Sequence, residues 1–105
     1  MLKIVRDDLD IDKEELYEVL IDNHVIGTIA NNEIQNWDIK NGHHMIMIKS
    51  KDYISKQINF DINSGEIFEF NCGPQYKNTF LSKMLYKFIF MNKGLYLRKK
   101  TDFYL

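Results

Sequence analysis

From Leu2 to Asn71, apolar residues recur at every second position in short runs, and each run ends on a small polar cluster. Period two is the spacing of a strand with one buried face, because successive side chains point to opposite sides of the pleat. The punctuation is Asp22-Asn23-His24, Asn31-Asn32, Asn41-Gly42 and Asn63-Ser64-Gly65. These residue types tolerate positive φ or bond their own backbone, which is what tight turns require. No run in this stretch repeats at 3.6 residues, so the pattern predicts a small antiparallel β domain.

Leu2, Ile4 and Arg6 start a first strand; the inward sets that follow are Tyr17, Val19 and Ile21; Trp37 and Ile39; His44, Ile46 and Ile48; Ile58, Phe60 and Ile62; and Phe68, Phe70 and Cys72. Asp22-Asn23-His24-Val25 reads as a two-residue hairpin, and Asn41-Gly42 is the strongest hairpin signal in the chain. Gly27, inside a strand run, marks a bulge or a close backbone approach. Met45 and Met47 share the face opposite His44 with His43 and Lys49. That second face is only half polar, so it calls for a cover, and the C-terminal segment is the candidate.

The grammar changes at Cys72-Gly73-Pro74. Asn78 or Thr79 can cap a helix, and Phe80, Leu81, Met84, Leu85, Phe88 and Ile89 follow at helical spacing. Gly94 suits the stop. The expected organisation is one domain, 1–105: a β-sandwich over 1–73, a helix over 74–94 and closing strand fragments over 95–105.

A length of 105 residues is that of a single domain. With 45% hydrophobic and 28% charged residues the chain is neither disordered nor membrane-like. Cys72 is the single cysteine, which excludes an intrachain disulfide, and no secretory signal opens the sequence. A cytoplasmic protein is the expectation. The net charge of −1 hides an asymmetry. Residues 1–74 hold seven Lys/Arg against fourteen Asp/Glu, whereas residues 75–105 hold seven Lys/Arg against Asp102 alone. The two segments are expected to attract each other or to stay solvated.

The stretch Val19-x-Ile21-Asp22-x-x-x-Ile26-Gly27-x-Ile29, followed by Trp37-x-Ile39-x-x-Gly42-x-His44-x-Ile46-x-Ile48, resembles the PEGA-type β-sandwich pattern. Gln57-Ile58-Asn59-Phe60, Gly65-Glu66-Ile67-Phe68-Glu69-Phe70-Asn71-Cys72-Gly73 and Tyr96-Leu97 extend the likeness to a group of small bacterial proteins. Asn23 departs from the glycine usual there, and Tyr53-Ile54 lack that group's Trp-Cys. The resemblance implies an all-β, Ig-like or PEGA-like antiparallel sandwich of about seven strands with one C-terminal α-helix. Its motifs are turns and core positions, so it implies no catalytic residue.

Chemistry-bearing residues are sparse. His43 and His44 are adjacent, so a strand points them to opposite faces and they do not chelate one metal. His44 is expected to be buried and bonded to backbone at a hairpin end, and His24 to sit in an exposed turn. Asp8-x-Asp10-x-Asp12 suggests a calcium loop, but Lys13 stands where the sharp turn needs glycine. Cys72 reads as a small core residue; a hydrolase would need His44 beside it. No catalytic residue, cofactor or metal is expected.

Phe80 to Met91 holds more apolar side chains than one buried helix face needs and is too short to span a bilayer. Met84, Phe88, Phe90 and Met91, with Lys83 and Lys87, are therefore the candidate interaction surface. The expected function is that of a non-catalytic interaction module acting through a sheet edge and this segment, with protein as partner and self-association included. The alternative is a peripheral membrane protein held by the basic amphipathic helix. Nucleic acid is not expected, given a sequence pI near 6.3.

Overall fold

The computed structural model describes residues 1–10, 12–74 and 94–100. Eight strands are found among them: β1 Leu2–Arg6, β2 Tyr17–Ile21, β3 His24–Ile29, β4 Ile34–Trp37, β5 Gly42–Lys49, β6 Ile58–Ile62, β7 Phe68–Pro74 and β8 Leu95–Lys99. They form two four-stranded sheets, ordered β4-β1-β7-β8 and β3-β2-β5-β6. The all-β expectation holds, with eight strands where about seven were expected. Residues 75–93, which carry nearly all of the expected helix, and 101–105 lie outside the described residues. Pro74, which the sequence places at the head of that helix, is instead the last residue of β7, opposite Leu95.

The alternating residues do face one interior. Leu2 and Ile4 of β1, Phe70 and Cys72 of β7, and Leu95 and Leu97 of β8 meet Tyr17, Val19, Ile21, Ile29, Ile46, Ile48, Phe60 and Ile62 of the second sheet in one buried cluster. Phe60 and Phe70 join the sheets edge to face, with ring centroids 5.4 Å apart. Burying aromatic rings in this way contributes both area and directional contact.

The strands do not all pair as the hairpin signals suggest. Asn41-Gly42 is not a hairpin: β4 pairs β1 in the first sheet, and β5 pairs β2 and β6 in the second. The dipeptide carries the chain between sheets, and Gly42 supplies φ 122° at the crossing. Asn31-Asn32 and Asn63-Ser64-Gly65 also link one sheet to the other. The turn types fit either use, and the half-buried Trp37 of β4 packs on Gly27 of the opposite sheet. Nor is the sandwich wholly antiparallel, since β1 runs parallel to β7, with Leu2 opposite Phe68 and Arg6 opposite Cys72.

The β2–β3 connection is a true hairpin. Its central residues are Asp22 and Asn23, at φ 52° and 68°, so the turn is type I′, one residue earlier than the sequence suggested. Gly27 combines both expected roles. The register shift beside Val19/Leu20 leaves Ile26 unpaired as a bulge, and the indole of Trp37 lies directly on Gly27. On the outer face of the second sheet, Leu20 stands opposite Met47, and both are buried. The segment expected to cover this face lies outside the described residues.

Candidate functional site

Three clusters collect the polar side chains that could carry function. The first surrounds Arg6, the third inward residue of β1 and only 1% exposed. Its Nη1 donates to the carbonyls of Glu15 (2.5 Å) and Ile29 (3.0 Å), and its Nη2 donates to that of Asp12 (2.6 Å). The guanidinium lies 3.6 Å from the centroid of the Tyr17 ring, a cation–π contact. Tyr17 Oη reaches Asp12 Oδ2 at 3.2 Å. Asp12 adopts φ 58°, which turns the acidic segment back over the guanidinium. The Asp12 and Glu15 carbonyls of this acidic segment are thus directed at the guanidinium of Arg6. A signal that could have disclosed this is an arginine two residues beyond Ile4 and just ahead of six carboxylates, Asp7 to Glu15.

The second cluster lies at one end of the second sheet and contains His44. His44 Nδ1 is 2.6 Å from Asp22 Oδ2, and its Nε2 is 2.5 Å from the carbonyl of Lys40. Asp22 Oδ1 also accepts the Met45 N–H at 2.9 Å. The ring packs 5.9 Å from Phe60, and its side chain is 12% exposed. The expected backbone bond of His44 is present, and the Asp22 carboxylate is an addition the sequence did not disclose. His43 points to the other face and meets Asp61 at 3.1 Å in the open. His24 is exposed at the start of β3, next to the turn.

Hydrogen bonds from His44 and from the Met45 N–H hold the Asp22 carboxyl below its ordinary 3.8. The bonds to Asp22 and to Lys40 raise His44 above 6.5. Stability from His44 is therefore complete below pH 6.5 and is lost as pH rises through its higher folded value. Stability from Asp22 is complete above pH 3.8 and is lost as pH falls through its lower folded value. The pair is most useful between these limits. Thermal melts from pH 4 to pH 9 should show Tm falling above pH 6.5, and His44→Gln should remove that slope. The change is expected to be only a few degrees, since Asp22 is half exposed and screened, and about 1 kcal/mol moves Tm by about 4–8 °C at this size.

The third cluster is on the outer face of the first sheet. Tyr96 Oη donates to Asp7 Oδ2, and Asn71 Nδ2 donates to Asp7 Oδ1 at 3.1 Å. Burial and the Asp7 carboxylate raise the Tyr96 phenol and keep it neutral. Alongside, Glu69 Oε1 sits 3.5 Å from both Lys3 and Lys100. Part of the basic C-terminal charge is thus spent inside the fold, in line with the expected attraction.

Cys72 is fully buried, and burial pushes its thiol up to about 12. Both nitrogens of His44 are occupied elsewhere, so the structure does not assemble the Cys72–His44 pair that a hydrolase would need. Among the described residues, no group of three or more His, Cys, Asp or Glu side chains could hold a metal ion. Met84, Phe88, Phe90, Met91, Lys83 and Lys87 lie outside the described residues. No helix among the described residues is long and apolar enough to cross a membrane. Comparison with known proteins found no matching family model, no matching curated protein and no matching solved structure.

Proposed function

We propose that this chain is a non-catalytic interaction module of the cytoplasm, an Ig-like or PEGA-like sandwich that binds protein through a sheet edge, with a second copy as its first partner. The observation that supports this reading is the edge at β4, which no second strand pairs among the described residues. Edges are ordinarily blunted by lysine, proline or a bulge, and Ile34-Gln35-Asn36-Trp37 contains none of these in an unbroken register with β1. Ile34 is 55% exposed. By contrast β3 carries the bulge at Ile26, and β8 has Ser55 bridged beside Leu95.

All four β4 side chains are uncharged, so pairing with a copy sets no like charges opposite each other. A two-fold axis through Gln35 places Ile34 across from Asn36 of the second copy on one face. The apolar stretch Phe80 to Met91, with Lys83 and Lys87, belongs to the same reading as added apolar surface.

Light scattering across a concentration series tests it. The expected result is a mass rising towards twice the 12.6 kDa of one chain, with Ile34→Lys returning the protein to a single chain. A wild-type mass of one chain at every concentration, well above the micromolar range, would overturn self-association. Salt-sensitive flotation with anionic liposomes would favour the peripheral-membrane alternative instead.

A further inference from the structure

We infer that His44 is a proton-dependent latch that holds the β4–β5 crossover against the β2–β3 turn. The Lys40 carbonyl can only accept a hydrogen bond, and the Asp22 carboxylate, also engaged by the Met45 N–H, accepts as well. Both ring nitrogens therefore face acceptors at hydrogen-bond distance, and only the imidazolium carries two N–H groups.

The neutral ring satisfies one acceptor and turns a lone pair on the other. The carboxylate bond is the stronger because it is charge-assisted, so Nδ1 keeps its hydrogen and the Lys40 carbonyl loses its donor. A carbonyl 2.5 Å from a nitrogen lone pair is repelled, and the crossover moves off.

The surroundings leave Asp22 as the group that sets this equilibrium. From the β2–β3 turn the ring meets Asp22, and His24 stands exposed two residues on. From the crossover it meets the Lys40 backbone, while the Lys40 side chain lies in solvent. On its own strand, His43 points away to Asp61 of β6, and its positive form acts weakly on Asp22. From β6 the ring meets Phe60, which is uncharged. Beyond Phe60 lies Phe68, with the Lys99 ammonium 4.4 Å over the ring of Phe68.

The latch bears on the proposed edge because the crossover is the direct continuation of β4. It also stands without that reading, since its test observes the crossover and not the oligomer. Nitrogen-15 NMR of the full chain, titrated from pH 5 to pH 9, follows the imidazole nitrogens and the backbone amides together. The expected result is a His44 midpoint above 6.5, with both nitrogens protonated below it. The amides of residues 38–41 should shift with that midpoint while those of β1 and β7 stay fixed. Asp22→Asn should lower the midpoint, and His44→Gln should leave the crossover amides flat across the range. A neutral His44 ring at pH 6, or crossover amides that ignore its titration in a folded protein, would overturn the latch. A folded His44→Gln variant whose crossover still titrates as wild type would do the same.

Discussion

Replacing Arg6 with methionine is expected to destabilise the protein by about 3–5 kcal/mol, although the two side chains are similar in length and methionine is well suited to a core. Exchanging a buried ion pair for apolar residues is often neutral, because both charges leave together. That route is closed here. The acceptors of Arg6 are the backbone carbonyls of Asp12, Glu15 and Ile29, and a side-chain substitution cannot remove them. Methionine would take the guanidinium from three partly or fully buried carbonyls; that of Asp12 keeps the Glu15 N–H at 3.0 Å, so the cost falls mainly at Glu15 and Ile29, about 1–3 kcal/mol each less whatever water recovers. The Tyr17 ring would also lose its cation.

The urea midpoint should therefore fall by roughly 2 M for a domain of this size. Proteolytic cleavage should begin in the acidic segment, whose turn keeps only the Glu15 N–H bond to the Asp12 carbonyl and the Tyr17 contact to the Asp12 carboxylate. Arg6→Lys should fall between the two, because an ammonium keeps the charge but not the planar fork that serves three carbonyls. An unchanged midpoint for Arg6→Met would show that the carbonyls are satisfied by other means and that the guanidinium is not what holds the segment down.

This cluster also shows where reading the sequence stops. The sequence puts Arg6 in the first strand without a face, and the chain buries it beside Leu2 and Ile4. Periodicity fixes the face of a residue but not its neighbours. The acceptors come from positions 12, 15 and 29, brought together by the αL turn at Asp12 and by the end of β3. The same gap explains Asn41-Gly42 and Asn63-Ser64-Gly65. Local chemistry specified a reversal in each case, and whether the reversal returns to the same sheet or crosses to the other depends on which strands are free to pair. β4 finds its partner in β1, about thirty residues earlier, and β1 finds β7 more than sixty residues later. Neither pairing has a local signature. Asp22 was legible as a turn residue, yet its carboxylate faces His44 only because β5 pairs with β2 and brings Met45 opposite the turn.

The second large effect is expected at Gly27, where two opposing terms can be weighed. Glycine inside a strand usually costs about 0.5–1 kcal/mol relative to alanine, so Gly27→Ala would be stabilising if space allowed. Space does not allow it. A Cβ built there lies 2.7 Å from Trp37 Cζ2, 2.9 Å from Nε1 and 3.1 Å from Cε2. The indole is a rigid plate set between β3 of one sheet and β4 of the other, and it cannot yield at its far end as a lysine would. Overpacking of this kind costs about 1–3 kcal/mol, which outweighs the propensity gain and reverses the sign. Gly27→Ala should lose about 1–2 kcal/mol and Gly27→Val about 3 kcal/mol. Trp37 is the only tryptophan in the chain, so its fluorescence reports on this contact alone. Emission should shift to the red as the ring is pushed towards solvent. In a double-mutant cycle, Trp37→Leu should cancel most of the cost of Gly27→Ala, because the two substitutions share one contact. If Gly27→Ala instead raises the urea midpoint and leaves the emission unmoved, the indole does not close this side of the sandwich, and the β4 edge is held by its pairing with β1 alone.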